Sequence, residues 1–355
     1  MKVPRIAGVD LAYAISVCVV VAFCLSVGLS KGTSSLSPVV FNPWVDAFIG
    51  MFFFLNGITT TLMLSSKRQR TSKVHRYFVR KGIVFFTIGA LASLFWPVNF
   101  LMTLGLLFAL SPIFLQLNSG IVRFLFILVF AICVMSALCA ASSLAAGTIG
   151  REGFDTVFVD LVDSLFVSGY DRIAPWSLFF LTGVLHGRSD ILNRKKQRRS
   201  TLIGVVAIVI GSLVQVFGGT FFTSPVSHDN ELIFPFFPSP DFSIIAFLLF
   251  GLGICIVLLN LCLKIMTTQR KKGLLTFLQR FGALKHTFFL NHILFGGLLC
   301  AIFQATGFQN VWIISCAIIL YLSVYFAFVG MWKKPFTLGP VEWVLQQLAG
   351  INENS

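Results

Sequence analysis

The chain has 355 residues, of which 57% are hydrophobic and only 11% are charged. Soluble domains carry roughly 25% charged residues, so a water-soluble fold would lack the polar side chains to cover its surface. The formal net charge is +14, but the basic residues stand in short clusters between apolar runs. That pattern is typical of cytoplasmic membrane loops and argues against a nucleic-acid-binding surface. Composition therefore favours an integral membrane protein.

Ten apolar segments follow one another along the chain, and each is predicted to be a membrane helix. Backbone groups in lipid must be satisfied within their own segment, which favours helices over open sheets. The sequence thus predicts an all-α polytopic membrane protein whose residues 1–355 form one transmembrane domain. The predicted helices cover about 9–29, 43–64, 82–96, 99–117, 122–145, 173–187, 201–220, 242–264, 285–305 and 311–332.

The distribution of Lys and Arg predicts the orientation of these helices, because cytoplasmic connectors are enriched in both residues. If the N-terminus is cytoplasmic, the connectors on that side hold 24 of the 27 basic residues. Both termini are then expected in the cytoplasm. Among the outer connectors, residues 146–172 have the spacing of an amphipathic surface helix. Residues 222–241 carry several prolines, which predicts an aromatic loop that is either a plain connector or a lid.

Ionisable groups within the first two helices are candidate site residues, since charged groups inside a membrane are costly. Asp10 lies at the inner end of the first helix and either pairs with Arg5 or Arg80 or contributes to a site. Asp46 lies in the first turn of the second helix, where a carboxylate is favourable on structural grounds alone. A substrate hydroxyl or amine could also meet it there. Asn56 follows an aromatic run and needs an interhelical partner or a ligand.

The helix over 285–305 carries Asn291 and His292 inside an apolar stretch. His292 lies roughly 10 Å along the helix from its start. An imidazole at that depth either makes a helix–helix hydrogen bond or transfers protons. The eight cysteines all lie in apolar runs without zinc-site spacing, so no metal site is predicted.

Five stretches, in order along nearly the whole chain, resemble one family of membrane enzymes. The chain is similar to the transmembrane acyltransferase superfamily of heparan-alpha-glucosaminide N-acetyltransferase, and most similar to its bacterial branch with a C-terminal domain of unknown function. The most specific stretch is the closing Gly339-Pro340-Val341-Glu342-Trp343. The stretches that carry the resemblance are 5–11, 46–57, 76–89 with 97–101, 175–188, and 282–292 with 339–343.

The resemblance implies transfer of an acyl group, with acetyl expected, from cytoplasmic acyl-CoA to a sugar or a lipid-linked glycan. Such chemistry needs a base for the acceptor proton, and His292 is the first candidate, followed by Asp46. A bacterial inner membrane is the implied location. Membrane lipid is an expected partner, a homodimer is one alternative, and nucleic acid is not expected. The residues expected to bind substrate or acyl-CoA are Asp10, Asn56, Asn291, Arg80 and Arg188.

Two other functions stay open at this point. Ten helices with buried polar residues also suit a transporter or exporter of a small or lipid-linked molecule, although no repeated half of the chain is visible. Active relatives carry a histidine just before the second helix, whereas residues 32–45 here contain none. The third alternative is therefore a catalytically silent relative with a binding, scaffolding or immunity role.

Overall fold

The computed structural model describes residues 6–29, 43–65, 71–93, 100–146, 173–221, 240–268, 273–306, 310–332 and 339–348. In these ranges the chain is helical and contains no strand. The helices are α1 (Ala7–Leu29), α2 (Pro43–Ser65), α3 (Thr71–Ala92), α4 (Leu101–Gln116), α5 (Ser119–Ala146), α6 (Ile173–Arg188), α7 (Arg194–Phe221), α8 (Pro240–Thr268), α9 (Gly273–Gly282), α10 (Lys285–Thr306), α11 (Val311–Trp332) and α12 (Pro340–Leu348).

Six of these helices are long and apolar enough to cross a membrane: α1, α2, α7, α8, α10 and α11. Two shorter apolar helices lie within α4 and α5. Long apolar helices of this number confirm the prediction of a membrane protein. Each of the ten predicted segments overlaps a helix, but α3 begins at Thr71 and α7 at Arg194, both earlier than predicted. The polar residues added at these two starts extend the helices beyond the apolar stretches.

The centre of the bundle is formed by α1 and α2. Of the residues in their spanning segments, 78% and 72% are buried, whereas the corresponding shares for α7 and α11 are only 11% and 17%. The helix α1 contacts α2, α8, α9, α10 and α11, so it forms an axis around which the others pack. The exposed apolar faces of α7 and α11 are the surfaces expected to meet lipid.

Glycines allow two of the helices to approach at backbone distance. A Cβ atom added to Gly57 in α2 would overlap the carbonyl oxygen of Phe180 in α6. A Cβ atom added to Gly183 would likewise overlap the carbonyl oxygen of Phe54. Small residues at helix interfaces permit this packing in membranes. The contact holds α6 against the central helix α2.

Two short helices lie in segments that had been predicted as connectors. The helix α9 packs against α1, where Gly282 lies directly on the backbone of Asp10. The helix α12 contacts α3 and α10. The predicted surface helix at 146–172 and the aromatic loop at 222–241 lie almost entirely outside the described residues.

Candidate functional site

A cluster of four polar side chains, three of them buried and the fourth largely buried, lies where α3, α10 and α12 meet. Its members are Lys81 from α3, His286 and Thr287 from α10, and Glu342 from α12. Lys81 is 5% exposed, His286 is 6% exposed and Thr287 is 5% exposed. Polar groups at this burial are normally held by specific partners, because leaving them unpaired costs free energy. We call these four residues the polar cluster.

The carboxylate of Glu342 caps the first turn of α10. Its Oε1 accepts hydrogen bonds from the backbone N–H of His286 at 2.9 Å and of Thr287 at 3.2 Å. Its Oε2 accepts a bond from the Thr287 hydroxyl. The first N–H groups of a helix have no partner within the helix, and the helix dipole favours an anion there. Glu342 supplies both the hydrogen-bond acceptor and the negative charge, although it lies far from α10 in the sequence.

The same carboxylate lies beside the imidazole of His286. The distance from His286 Nδ1 to Glu342 Oε1 is 3.5 Å. On the other side of the ring, Lys81 Nζ lies 3.0 Å from His286 Nε2. An ammonium group can only donate, so Nε2 accepts and the ring proton belongs on Nδ1, facing the carboxylate. A carboxylate that orients an imidazole in this way leaves Nε2 in the basic form used for proton transfer.

Aromatic rings surround the basic members of the polar cluster. Lys81 Nζ lies 3.7 Å above the ring centroid of Phe108, and the His286 ring meets Phe85 edge-on at 5.5 Å. Lys285, next to His286, places its ammonium group 3.3 Å from the ring centroid of Tyr13. A cation over an aromatic face is attracted by the ring quadrupole, more strongly where water is excluded. The cluster thus occupies a largely apolar, aromatic environment.

The hydrogen bonds to Glu342 also set its acidity. Burial raises the pKa of this carboxyl, but the bonds from His286 and Thr287 outweigh burial and lower the pKa from 4.5 to about 2. A carboxylate that accepts several hydrogen bonds is stabilised in its charged form. Glu342 is therefore ionised throughout the physiological range.

The predicted residues of the first two helices are buried. Asp10 and Asp46 are each 9% exposed and lie in the first turns of α1 and α2. Asn56 is fully buried and donates through Nδ2 to the carbonyl oxygen of Phe52 at 2.8 Å. Its Oδ1 has no hydrogen-bond partner among the described residues. The side-chain nitrogen of Asn56 thus has a partner within its own helix, while its side-chain oxygen has none among the described residues.

The two predicted residues of α10 lie in different surroundings. His292 is 1% exposed and meets the ring of Phe289 edge-on at 4.9 Å. Phe289 in turn stacks on Phe52 of α2 at 4.8 Å, so the imidazole lies next to an aromatic contact between two helices. Asn291 faces the other way and lines a groove between α10 and α11.

The two predicted arginines lie in different surroundings. Arg188 ends α6 and donates to Ser119 Oγ at 3.2 Å and to the carbonyl oxygen of Phe114 at 2.5 Å. These bonds tie α6 to the turn between α4 and α5. Arg80 is exposed, and its neighbour Lys81 is the buried cation. Lys81, which belongs to the polar cluster, is therefore a better candidate than Arg80 for the predicted binding role.

Sequence reasoning assigned no role to Lys81, His286 or Glu342. A signal for two of them was present, because His286 and Glu342 both lie in the last of the five stretches. Their contact spans 56 residues of sequence and depends on how α12 folds back on α10. Lys81 is one of several basic residues in the first half of α3, and the sequence does not show which of them is buried.

The groove between α10 and α11 is the second feature that could hold a ligand. It has a volume of about 670 Å³, and nearly all of its wall is apolar. The helices α10 and α11 follow each other in the chain, but they make few close contacts with each other. Among the described residues, no group of three or more His, Cys, Asp or Glu is placed to hold a metal ion.

Comparison with known proteins gives one match. Residues 186–352 match the model of a family described as a protein of unknown function (DUF418), which covers just under half of the chain. No curated protein and no solved structure matches the chain. The matched region begins in the last turn of α6 and ends after α12, so it contains the groove, His286, Thr287 and Glu342 but not Lys81.

Proposed function

We propose that the protein is a membrane-bound acyltransferase that moves an acyl group from cytoplasmic acyl-CoA to a sugar or a lipid-linked glycan. The observation that carries the proposal is the His286 imidazole held between the Glu342 carboxylate and Lys81. A carboxylate–imidazole pair in a water-excluded site is suited to take a proton from a hydroxyl or amine acceptor. The sequence resemblance points to the same class of reaction.

The reaction moves one proton and transfers one acyl group from sulphur to oxygen or nitrogen. The acceptor's O–H or N–H proton passes to Nε2 of His286 as the acceptor oxygen or nitrogen bonds to the acyl carbon. The carbon–sulphur bond of the thioester breaks, and the proton then passes to the departing thiolate, so coenzyme A leaves as a free thiol. Lys81, released from Nε2 as the acceptor binds, would stabilise negative charge on the carbonyl oxygen.

The proposed topology brings the acyl donor to this cluster. We retain ten membrane crossings with both termini in the cytoplasm, which puts the starts of α3 and α10 near the cytoplasmic face. Basic side chains are abundant there and favour the phosphates of coenzyme A. The nine-residue helix α12 covers the polar cluster from one side and supplies its carboxylate.

The test measures release of the coenzyme A thiol by the purified full-length protein in lipid nanodiscs, with acetyl-CoA or a longer acyl-CoA as donor and a free sugar or a lipid-linked glycan as acceptor. We expect His286→Asn to slow release by about 10²–10⁴-fold, the usual contribution of a general base. His75→Asn serves as the matched control, because His75 lies in α3 outside the polar cluster and should leave the rate unchanged.

Two further variants separate His286 from the bases predicted from the sequence. His292→Asn and Asp46→Asn are measured in the same assay. If His292→Asn abolishes release and His286→Asn does not, the base is His292. If the unaltered protein releases no thiol above a protein-free control with any acyl-CoA, the proposed function is wrong.

A further inference from the structure

The side-chain oxygen of Asn56 is a buried polar atom that the described part of the fold leaves without a partner. The residue lies near the middle of α2 and is fully buried. Its Nδ2 atom donates to the carbonyl oxygen of Phe52, whereas its Oδ1 atom meets no donor among the described residues. Buried polar atoms are nearly always hydrogen-bonded, so an acceptor atom left over in this way points to a ligand that donates to it.

The position of Asn56 around α2 directs its side chain between α10 and α4. At 100° per residue, Asn56 lies about 40° around the helix from Phe52, and Phe53 lies about 60° further in the same sense. The ring of Phe52 stacks on Phe289 of α10 at 4.8 Å. The ring of Phe53 meets Phe100, at the start of α4, edge-on at 6.4 Å. Asn56 therefore faces the space between these two contacts.

Asn56 and His286 also lie at a similar depth in the bundle. Tyr13 of α1 connects their helices, since its hydroxyl lies 3.0 Å from Thr59 Oγ1 and its ring lies under the ammonium group of Lys285. The last third of α2 is therefore beside the first turn of α10, and the two helices run in opposite directions. Counted from the stacked pair of phenylalanines, Asn56 is about 6 Å along α2 and His286 about 4.5 Å back along α10.

The imidazole of His286 faces the same space from α10. Its ring lies 5.5 Å from that of Phe85 on α3 and 6.3 Å from that of Phe108 on α4. The ring therefore projects from α10 towards those two helices. Both the direction and the depth of Asn56 thus put its unpartnered oxygen near the polar cluster.

We propose that Asn56 binds the acyl acceptor: its Oδ1 atom accepts a hydrogen bond from a second N–H or O–H of that molecule, beside the one whose proton passes to His286. This role rests on the proposed acyl transfer. An amide oxygen can only accept hydrogen bonds, and the thioester group carries no polar hydrogen, so the reacting part of the donor cannot satisfy it.

The proposal predicts which acyl acceptors the site prefers. A primary amine supplies the second hydrogen at the reacting nitrogen itself, and a sugar supplies it from a neighbouring hydroxyl. An isolated hydroxyl gives its one proton to His286 and leaves Oδ1 of Asn56 unpaired. A site that hydrogen-bonds a polar group of its substrate discriminates strongly against an analogue without that group.

The test measures acetyl transfer from acetyl-CoA to three soluble probes by the purified full-length protein in nanodiscs. D-Glucosamine offers a second N–H, methyl β-D-glucopyranoside offers neighbouring hydroxyls, and tetrahydropyran-4-ol offers one isolated hydroxyl. We expect Asn56→Leu, which is close in volume, to lower kcat/KM about 10–100-fold for a probe whose second hydrogen Asn56 binds and to leave tetrahydropyran-4-ol unchanged. A fall for glucosamine alone identifies the second N–H, and a fall for the glucoside identifies a neighbouring hydroxyl.

Thr61 provides a matched control on the same helix. It is buried, lies about 140° around α2 from Asn56, and donates its hydroxyl to the carbonyl oxygen of Gly57 at 3.1 Å. We expect Thr61→Val, which removes a polar group from a side chain of similar shape, to leave kcat/KM unchanged for all three probes. Equal falls for the three probes in Asn56→Leu, no fall for any of them, or weaker binding of acetyl-CoA itself would each overturn the proposal.

Binding of the tritiated probes, measured by scintillation proximity, separates the role of Asn56 from the proposed reaction. Weaker binding of glucosamine or the glucoside to Asn56→Leu, when the unaltered protein transfers no acetyl group, counts against acyl transfer alone. Transfer that Asn56→Leu does not slow counts against the role of Asn56 alone. If the unaltered protein neither binds nor acetylates any probe, both are wrong.

Discussion

Glu342 and His286 meet through two atoms of the histidine residue. The backbone N–H of His286 donates to Glu342 Oε1 at 2.9 Å, and the Nδ1 atom of its ring lies 3.5 Å from the same oxygen. The carboxylate of Glu342 thus caps the first turn of α10 and orients the imidazole next to it. Capping of a helix and orientation of a buried ring are therefore combined in a single side chain.

The first prediction concerns the stability that Glu342 provides. We expect Glu342→Ala to destabilise the protein by about 1–3 kcal/mol, because two backbone donors and the Thr287 hydroxyl lose their acceptor. Thermal unfolding in detergent measures the effect. Glu342→Gln keeps one acceptor oxygen and should lose less stability than the alanine variant.

A matched control separates the two roles of Glu342. Asn193 caps α7 by accepting bonds from the backbone N–H groups of Lys195 at 3.0 Å and Lys196 at 3.3 Å. We expect Asn193→Ala to lower stability by about 0.5–2 kcal/mol without slowing thiol release. If Glu342→Ala and Asn193→Ala affect release equally, Glu342 has only a structural role.

The second prediction is a pH dependence of stability. The pKa of Glu342 falls from 4.5 to about 2 on folding, so the folded state favours the ionised form. The resulting stabilisation is fully present above pH 4.5 and is lost as the pH falls towards 2. Melting temperatures compared across that range should fall more steeply for the unaltered protein than for Glu342→Gln. Parallel curves would contradict the role assigned to the carboxylate.

The sequence predicted the helices well because membrane helices leave a strong local signal. Uninterrupted apolar runs placed every predicted segment on a helix. The short helices α9 and α12 were missed because each has an apolar face only and lies in a segment rich in polar residues. The polar cluster joins Lys81, His286 and Glu342 from three separate helices, and no local pattern encodes such a contact.

The third prediction concerns the contact between α2 and α6. We expect Gly183→Ala to destabilise the protein by about 1–3 kcal/mol, since the added methyl group meets the backbone of Phe54 and neither helix can yield easily. Gly273→Ala is the control, because an added Cβ there has nothing within 4 Å. Unfolding in detergent gives both values. Equal effects would show that the two helices can separate at little cost.

The fourth prediction tests the topology on which the proposed function depends. Alkaline phosphatase is active only outside the cytoplasm. A fusion after Asp190, between α6 and α7, should be inactive, whereas one after Asn310, before α11, should be active. The opposite pattern would place the polar cluster away from cytoplasmic acyl-CoA and remove the basis of the proposed reaction.

The separation in sequence between Glu342 and the helix it caps has a consequence for biosynthesis. The ribosome makes α10, which ends at Thr306, and then α11 before it reaches Pro340. The first turn of α10 therefore stays uncapped until α12 has been made and folds back. A nascent chain interrupted between α11 and α12 would hold every helix up to α11 yet lack this cap.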